Sequence, residues 1–374
     1  MLVALRMLNH ERGRSALAIS GIGIAILLIF LQLGFYFSVP RGGMLIYDAL
    51  RFDVLLMSPD YAYQGEAPAF PRRRLSQAMA LADVTSATAL YQASGEWMDA
   101  ATGIARDVFV MAFDPEQPVF DVPDIERQQA SLRLPDTLLV DTATKKEFGE
   151  LRSGRTVEIE RRAERIAGTY KLGTGFVGLG AAVMSDVNFA RLFPNQGLTR
   201  INLGLLKLRQ GADATDVVRR LQEILPADTL ATTRADLAAH EVRYWTTRTS
   251  IGLLFGFGAV LACIVGMVIM NQILSTQILR QLPQYATLKA IGYTDGQLRQ
   301  IVVSLAALMA VMGFLPALAL STILYAIMRD ATLLPIEMTG TRIATVLAAA
   351  LGMSAASALL SARVLRRADP ADLF

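Results

Sequence analysis

Long runs without charged residues dominate the hydrophobic pattern of this chain. Four runs contain no Asp, Glu, Lys or Arg: residues 15–40, 249–279, 300–328 and 343–362. An α-helix rises ~1.5 Å per residue, so ~20 apolar residues cross the hydrocarbon core of a bilayer. All four runs reach that length, whereas a buried helix of a soluble domain rarely needs such a long uncharged stretch. The pattern therefore predicts four transmembrane helices, which we call spans 1 to 4.

Span 1 is predicted to be an uncleaved anchor. Its apolar run exceeds the ~7–15 residues of a signal-peptide core, and no cleavage site of the A-x-A kind follows it. Residues 1–13 mix leucines with charged residues. They fit either a short helix lying on the membrane surface or a cytoplasmic extension of span 1, and the pattern favours neither.

Between spans 1 and 2, residues 41–248 alternate β-rich and helical runs over a length that is ample for a packed core. The predicted strands cover residues 52–58, 106–113, 137–141, 155–160 and 203–209. The predicted helices cover residues 72–81, 185–193, 212–225 and 234–247, with Ser185 and Asp213 as N-caps. We therefore expect a large α+β domain, with a division into two lobes near Pro115, Pro118 and Pro123.

Charges outside the spans predict the orientation. Segments 1–14, 280–299 and 363–374 together carry nine Lys or Arg and four Asp or Glu, which is a net charge of +5. Loop 329–342 has two basic and two acidic residues, which is a net charge of zero. Positively charged loops remain on the cytoplasmic side. We therefore expect a multi-pass inner-membrane protein with both termini in the cytoplasm and with the α+β domain of residues 41–248 outside it.

Composition agrees with a membrane protein and excludes several functions. The chain is 53% hydrophobic and 18% charged, where soluble domains have ~25% charged residues. A single cysteine, Cys263, excludes an internal disulfide framework and a Cys-based zinc site. The two histidines, His10 and His240, lie far apart, so no metal site is predicted. The basic balance follows from the cytoplasmic segments, so we expect no nucleic-acid partner.

Nothing in the sequence predicts catalysis by this chain. Residues 41–248 contain no recognisable catalytic arrangement, which disfavours a membrane-anchored enzyme. A phosphate-binding P-loop needs the sequence G-x-x-x-x-G-K-[ST], and the dipeptide GK does not occur in the chain. If ATP drives the protein, another chain must bind the ATP and its magnesium, and we expect no cofactor here.

The segment between spans 2 and 3 is the candidate functional site. A short helix is predicted over residues 286–291, with Gly292 as its stop and with Thr294 and Asp295 capping the next helix. Taken alone, this segment is a connecting loop. A short helix held between two spans would also transmit force to a cytoplasmic partner.

The spacing within this segment predicts a docking face. Tyr285, Leu288 and Ile291 recur at every third residue and would share one side of a short helix. We expect this side to fill an apolar groove of a partner and Lys289 to meet an acidic rim.

Span 2 has a pattern of small residues at four-residue spacing. Gly252, Gly256 and Gly258, with Ala262 and Gly266, would allow close helix packing. Packing within one chain and a homodimer face are both compatible with this pattern.

The string "YATLKAIGYTDGQL" (285–298) resembles the cytoplasmic signature of FtsX/MacB-type ABC transporter permeases, and specifically their DevC-type subgroup. Four further strings are similar to what DevC-type permeases carry at corresponding places: "FPRRRLSQA", "VMSDVNFARLFPN", "EVRYWTTRTSIG" and "RRADPADLF". The resemblance covers essentially the whole chain. Where the broader family often has a glutamate, this chain has Gln284, which cannot form that residue's salt bridge.

The resemblance implies a fold with a MacB-like periplasmic domain and a non-catalytic permease subunit of an exporter. It implies a homodimer, a separate ATPase subunit, a periplasmic membrane-fusion protein, an outer-membrane channel and an exported lipid or other amphiphile. An FtsX-like transducer that regulates a periplasmic partner is the alternative. The implied ATPase-contacting residues are Gln284, Tyr285, Leu288, Lys289, Ile291, Gly292, Tyr293 and Asp295, together with Arg366, Arg367, Asp369 and Pro370 of the tail.

Overall fold

The computed structural model describes residues 12–98, 103–175, 177–332 and 334–361. The chain divides into two compact units. One comprises residues 1–39 and 249–374 and is called the membrane region; the other, Pro40–Arg248, is called the inserted domain.

The helices and strands alternate irregularly along the chain. In chain order the helices are α1 (Arg12–Asp48), α2 (Arg73–Ala78), α3 (Pro123–Gln128), α4 (Asp186–Leu192), α5 (Ala214–Ile224), α6 (Arg234–Arg243), α7 (Ser250–Arg280), α8 (Leu282–Ala290), α9 (Asp295–Thr332) and α10 (Gly340–Ser361). The strands are β1 (Val54–Met57), β2 (Phe70–Pro71), β3 (Val84–Met98), β4 (Ala105–Phe113), β5 (Thr137–Asp141), β6 (Thr156–Ile159), β7 (Arg162–Tyr170), β8 (Ala181–Ser185), β9 (Arg200–Ile201), β10 (Leu203–Leu208) and β11 (Leu230–Thr233).

Four helices of the described chain are long and apolar enough to cross a membrane. They cover Ala16–Asp48, Ser250–Arg280, Asp295–Arg329 and Gly340–Ser361. The predicted number of apolar helices is therefore confirmed. The first and third helices are longer than their uncharged runs. A charged residue limits the part of a helix that can lie in the hydrocarbon core, but it does not end the helix.

Small residues let span 1 and span 3 approach closely. A Cβ built on Gly313 would lie 3.1 Å from both the amide nitrogen of Gly23 and the carbonyl oxygen of Ile19. Further along, the Tyr325 hydroxyl donates to the carbonyl of Phe30. A Cβ on Gly34 would lie 2.5 Å from that hydroxyl. Both contacts depend on the missing side chain of a glycine.

Spans 2 and 4 are joined by side-chain hydroxyls. Ser357 donates to the carbonyl of Met267 at 3.0 Å, and Ser361 lies 2.9 Å from Oδ1 of Asn271. Hydrogen bonds between helices stabilise a bundle where apolar side chains alone would pack equally well against lipid.

One strand organises the sheet of the inserted domain. The nine-stranded sheet has the order β11-β1-β10-β3-β4-β8-β5-β7-β6, with an additional pairing between β3 and β6. The first half of β3 pairs with β10, from Val84 to Leu90, and the second half pairs with β4, from Tyr91 to Met98. In this order, six neighbouring strands run β3-β4-β8-β5-β7-β6. Because β6 also pairs with the end of β3, these six strands close into a barrel.

The expected division into two lobes stays a prediction. Both halves of the sheet share β3, so a single continuous strand joins them. Pro115, Pro118 and Pro123 lie in the connection between β4 and α3 and at the start of α3. Proline disrupts a strand or helix locally, which does not by itself separate two lobes.

The predicted strands and helices fall on observed ones; most observed elements are shorter than predicted, strand 137–141 has its predicted bounds, and β4 begins one residue earlier. Ser185 caps α4 by accepting from the amide of Asn188 at 3.2 Å, and Asp213 caps α5 by accepting from Thr215 at 2.9 Å. The sequence did not predict the long β3 or the strands β7 and β8. The last predicted helix ends as α6, followed by a π-helical turn over Tyr244–Arg248.

Candidate functional site

The segment between α7 and α9 folds as a helix and a sharp turn. Helix α8 begins with Pro283 in its first turn, where the missing N–H costs no hydrogen bond. It ends at Gly292, whose φ of +104° is rarely adopted by other residues. The amides of Gly292 and Tyr293 donate to the carbonyls of Lys289 and Leu288 at 3.0 and 3.1 Å, which closes the C-terminus of the helix.

The following helix begins with a capping box. The Thr294 amide donates to Oε1 of Gln297 at 2.9 Å, and the Gln297 amide donates to Oγ1 of Thr294 at 3.4 Å. This is the reciprocal pattern that the sequence T-x-x-Q encodes. The prediction named Thr294 and missed Gln297, although the spacing is visible in the sequence. Nζ of Lys289 lies 3.4 Å from Oδ1 of Asp295, so an ion pair joins the two ends of the turn.

Tyr285 is buried within the membrane region. Its exposed fraction is 0%, and burial raises the pKa of its hydroxyl to about 12. It packs in the same core cluster as Leu298 and Val302 of α9, and Leu288 packs partly against this cluster. The expectation that Tyr285 presents a docking face is therefore wrong, because this side chain lies in the core of the membrane region. Leu288 is half-buried, and its contact with a partner stays a prediction. Three-residue spacing cannot reveal which side of a short helix is packed.

The exposed apolar surface of this segment lies on the turn itself. Ile291 is 72% exposed and Tyr293 is 42% exposed, and every residue from 291 to 297 is exposed. Gln284 is also exposed, on the first turn of α8. Of the predicted docking face, Ile291 is the exposed member, and Tyr293 is its apolar neighbour.

The small residues of span 2 contact other helices of the same chain. A Cβ on Gly256 would lie 3.4 Å from Tyr36, and one on Gly258 would lie 2.6 Å from Gln32. A Cβ on Gly266 would lie 3.3 Å from the sulfur of Met353 in span 4, and Gly252 is buried. These contacts use the glycines for packing within one chain.

Two further predictions concern other kinds of site. The tail residues Arg366, Arg367, Asp369 and Pro370 lie outside the described residues. Within the described ranges, no group of three or more His, Cys, Asp or Glu is arranged to hold a metal ion.

Comparison with known proteins assigns the C-terminal part of the membrane region. Residues 256–370 match the family described as FtsX-like permease C-terminal. This stretch contains most of span 2, the turn described above and spans 3 and 4. No curated protein matches the sequence.

Two solved structures are similar to about half of the chain. The periplasmic region of MacB from Actinobacillus actinomycetemcomitans has 13% identity and a TM-score of 0.38, covering 52% of this chain and 94% of that chain. The extracellular domain of the ABC-type transporter YknZ from Gram-positive bacteria has 11% identity and a TM-score of 0.33, covering 49% and 99%. Likenesses this distant carry no conclusion about function. The sequence match is therefore the finding that bears on the family: residues 256–370 of the membrane region are similar to the FtsX-like permease C-terminal family.

Proposed function

We propose that this chain is the permease subunit of an ATP-driven ABC exporter. The observation that carries the proposal is the exposed, capped turn at residues 291–297, within a region that matches FtsX-like permeases. The ATP and magnesium are bound by a separate ATPase subunit, and this chain itself is non-catalytic. It acts as a homodimer in the inner membrane, with both termini in the cytoplasm.

The turn suits a contact that must carry force. Gly292 fixes the end of α8, and the capping box of Thr294 and Gln297 fixes the start of α9. The apolar side chains of Ile291 and Tyr293 project from this braced turn into solvent. Interface energy concentrates in a few apolar or aromatic anchors. A displacement of the turn by the ATPase would therefore reach α9 directly.

The cargo is a lipid or another amphiphile, delivered with a periplasmic membrane-fusion protein and an outer-membrane channel. This part of the proposal is supported by the resemblance of the sequence to DevC-type permeases.

Ile291→Ser with Tyr293→Ser tests the ATPase contact. We expect this pair to reduce co-purification of the ATPase subunit and its stimulated ATP turnover by about tenfold or more, since truncated anchors cost ~2 kcal/mol. Ile104→Ser is a matched control, because Ile104 is an exposed isoleucine of the inserted domain. Normal association of the double variant, or equal loss in the control, would remove the turn from the interface.

A further inference from the structure

A buried carboxyl group joins three parts of the inserted domain. The Tyr61 hydroxyl donates to Oε1 of Glu241 at 2.5 Å, and Nε1 of Trp245 donates to Oε2 of the same carboxyl at 2.9 Å. The hydroxyls of Tyr47 and Tyr61 lie 2.5 Å apart. Glu241 is 0% exposed. We call Tyr47, Tyr61, Glu241 and Trp245 the carboxyl cluster.

The environment of this carboxyl is costly for a charge. Burial raises the pKa of Glu241, and the hydrogen bonds from Tyr61 and Trp245 lower it in part. An apolar side chain of similar volume would fill the same space without that cost. The carboxyl instead supplies two oxygens that accept hydrogen bonds from Tyr61 and Trp245, which lie on different segments. Its contribution is therefore to fix the relative position of these segments.

A glycine brings the backbone of α1 against this carboxyl. A Cβ on Gly43 would lie 2.5 Å from Nε1 of Trp245 and 2.8 Å from Oε2 of Glu241. Trp245 itself lies in the π-helical turn that follows α6. Such turns aim side chains out of the regular α-helical register and are frequent at functional sites.

Aromatic stacking reinforces the same contact. The ring of Tyr63 stacks on Tyr244 at 5.2 Å between centroids and meets Trp245 edge-on at 5.4 Å. The loop that follows β1 thus contacts the π-helical turn through two successive aromatic residues.

The position of the cluster along the chain gives it a role. Gly43 and Tyr47 lie at the end of α1, beyond the uncharged run 15–40 of span 1, and the turn Tyr244–Arg248 directly precedes span 2. We propose that Glu241 is a positioning residue that locks the segment leaving span 1 to the segment entering span 2, so that both move as one body during turnover. The role in turnover rests on the proposed function, whereas the lock itself does not.

The lock can be measured in the full chain as a distance. In a Cys263→Ser background, Arg41→Cys and Thr247→Cys place spin labels on exposed residues at either side of the cluster. We expect a single narrow distance distribution by electron paramagnetic resonance. Glu241→Leu should broaden it, because Tyr61 and Trp245 lose their common acceptor.

Conservative and matched variants separate positioning from general stability. Glu241→Gln should keep the distribution narrow, because its amide oxygen accepts from Trp245 while its amide nitrogen donates to Tyr61. Glu223→Leu is the control, on an exposed position of α5. Tyr61→Phe removes one hydroxyl and leaves the packing in place, so it should broaden the distribution even if Glu241→Leu does not fold.

Turnover of the complex is the second readout. With the ATPase subunit bound in proteoliposomes, Glu241→Leu and Tyr61→Phe should lower stimulated ATP turnover by about tenfold, the factor that one lost buried hydrogen bond produces. Glu241→Gln and Glu223→Leu should retain it. A narrow distribution in Tyr61→Phe and in folded Glu241→Leu overturns the lock. A broad distribution with normal turnover overturns its role in turnover. If the native chain stimulates no ATPase, the proposed function fails, and the lock is judged by the distances alone.

Discussion

Glu164 makes the stability of the inserted domain depend on pH. This residue of β7 is 1% exposed, and its Oε2 has no hydrogen-bond partner among the described residues. Burial, with a smaller contribution from the carboxylate of Asp136, raises the pKa of Glu164 from 4.5 to about 7. Arg162 and Arg191 act in the opposite direction and do not offset the burial.

The direction of the shift determines the sign of the effect. A folded-state pKa above the unfolded value means that the folded domain binds the proton more tightly. The resulting stability is complete below pH 4.5 and is lost as the pH rises through about 7. Each pKa unit corresponds to ~1.4 kcal/mol, so the ionised carboxyl costs the folded domain up to about 3 kcal/mol at pH 8 relative to the protonated form.

Glu164→Gln removes the ionisation and keeps the shape. We expect the variant to match the native chain within ~1 kcal/mol at pH 5 and to exceed its free energy of unfolding by up to about 3 kcal/mol at pH 8. Both tryptophans of the chain, Trp97 and Trp245, are buried in the inserted domain. Their fluorescence during urea unfolding of the full chain in detergent therefore reports on this domain.

Glu223→Gln provides the control, because Glu223 is exposed and pairs only with Arg219 on the surface of α5, at 3.5 Å. Its difference from the native chain should not change between pH 5 and pH 8. If the effect of Glu164→Gln is the same at both pH values, or if the variant is the less stable one at pH 8, burial does not control the titration of Glu164.

Three other predictions concern a close contact between two helices, a helix cap and the orientation of the chain in the membrane. Gly34→Ala should destabilise the helix bundle by ~1–3 kcal/mol in a detergent unfolding titration, because its Cβ would overlap the Tyr325 hydroxyl. Adding Tyr325→Leu to this variant should restore part of the lost stability. If Gly34→Ala alone is as stable as the native chain, the close approach of the two helices is contradicted. Thr294→Ala should lower stability by ~1 kcal/mol through loss of the capping box; no change in the same titration would show that the cap is dispensable. If both termini lie in the cytoplasm, as proposed, an impermeant thiol reagent should label Ser94→Cys and not Thr287→Cys in intact cells, since both positions are exposed. The reverse labelling pattern would contradict this orientation.

The sequence by itself determined the elements whose cause is local. A membrane-crossing helix requires only length and freedom from charge, and four uncharged runs supply both. The N-caps at Ser185 and Asp213 were equally predictable, because a cap joins a side chain to an amide two or three residues away. Strand 137–141 was predicted with its observed bounds, since a β-branched Thr137 leads into the apolar run Leu138–Val140.

The tertiary structure decided which residues face one another. Strand β3 is rich in alanine, serine and threonine and has a weak strand signal, so its pairing partners stabilise it on both edges. Tyr285 and Ile291 belong to the same three-residue spacing, yet the core of the membrane region buries the first and leaves the second exposed. Glu241 is an ordinary helical glutamate in the sequence. Only the approach of Gly43 and Tyr61, both about 180 residues or more away along the chain, turns it into a buried acceptor.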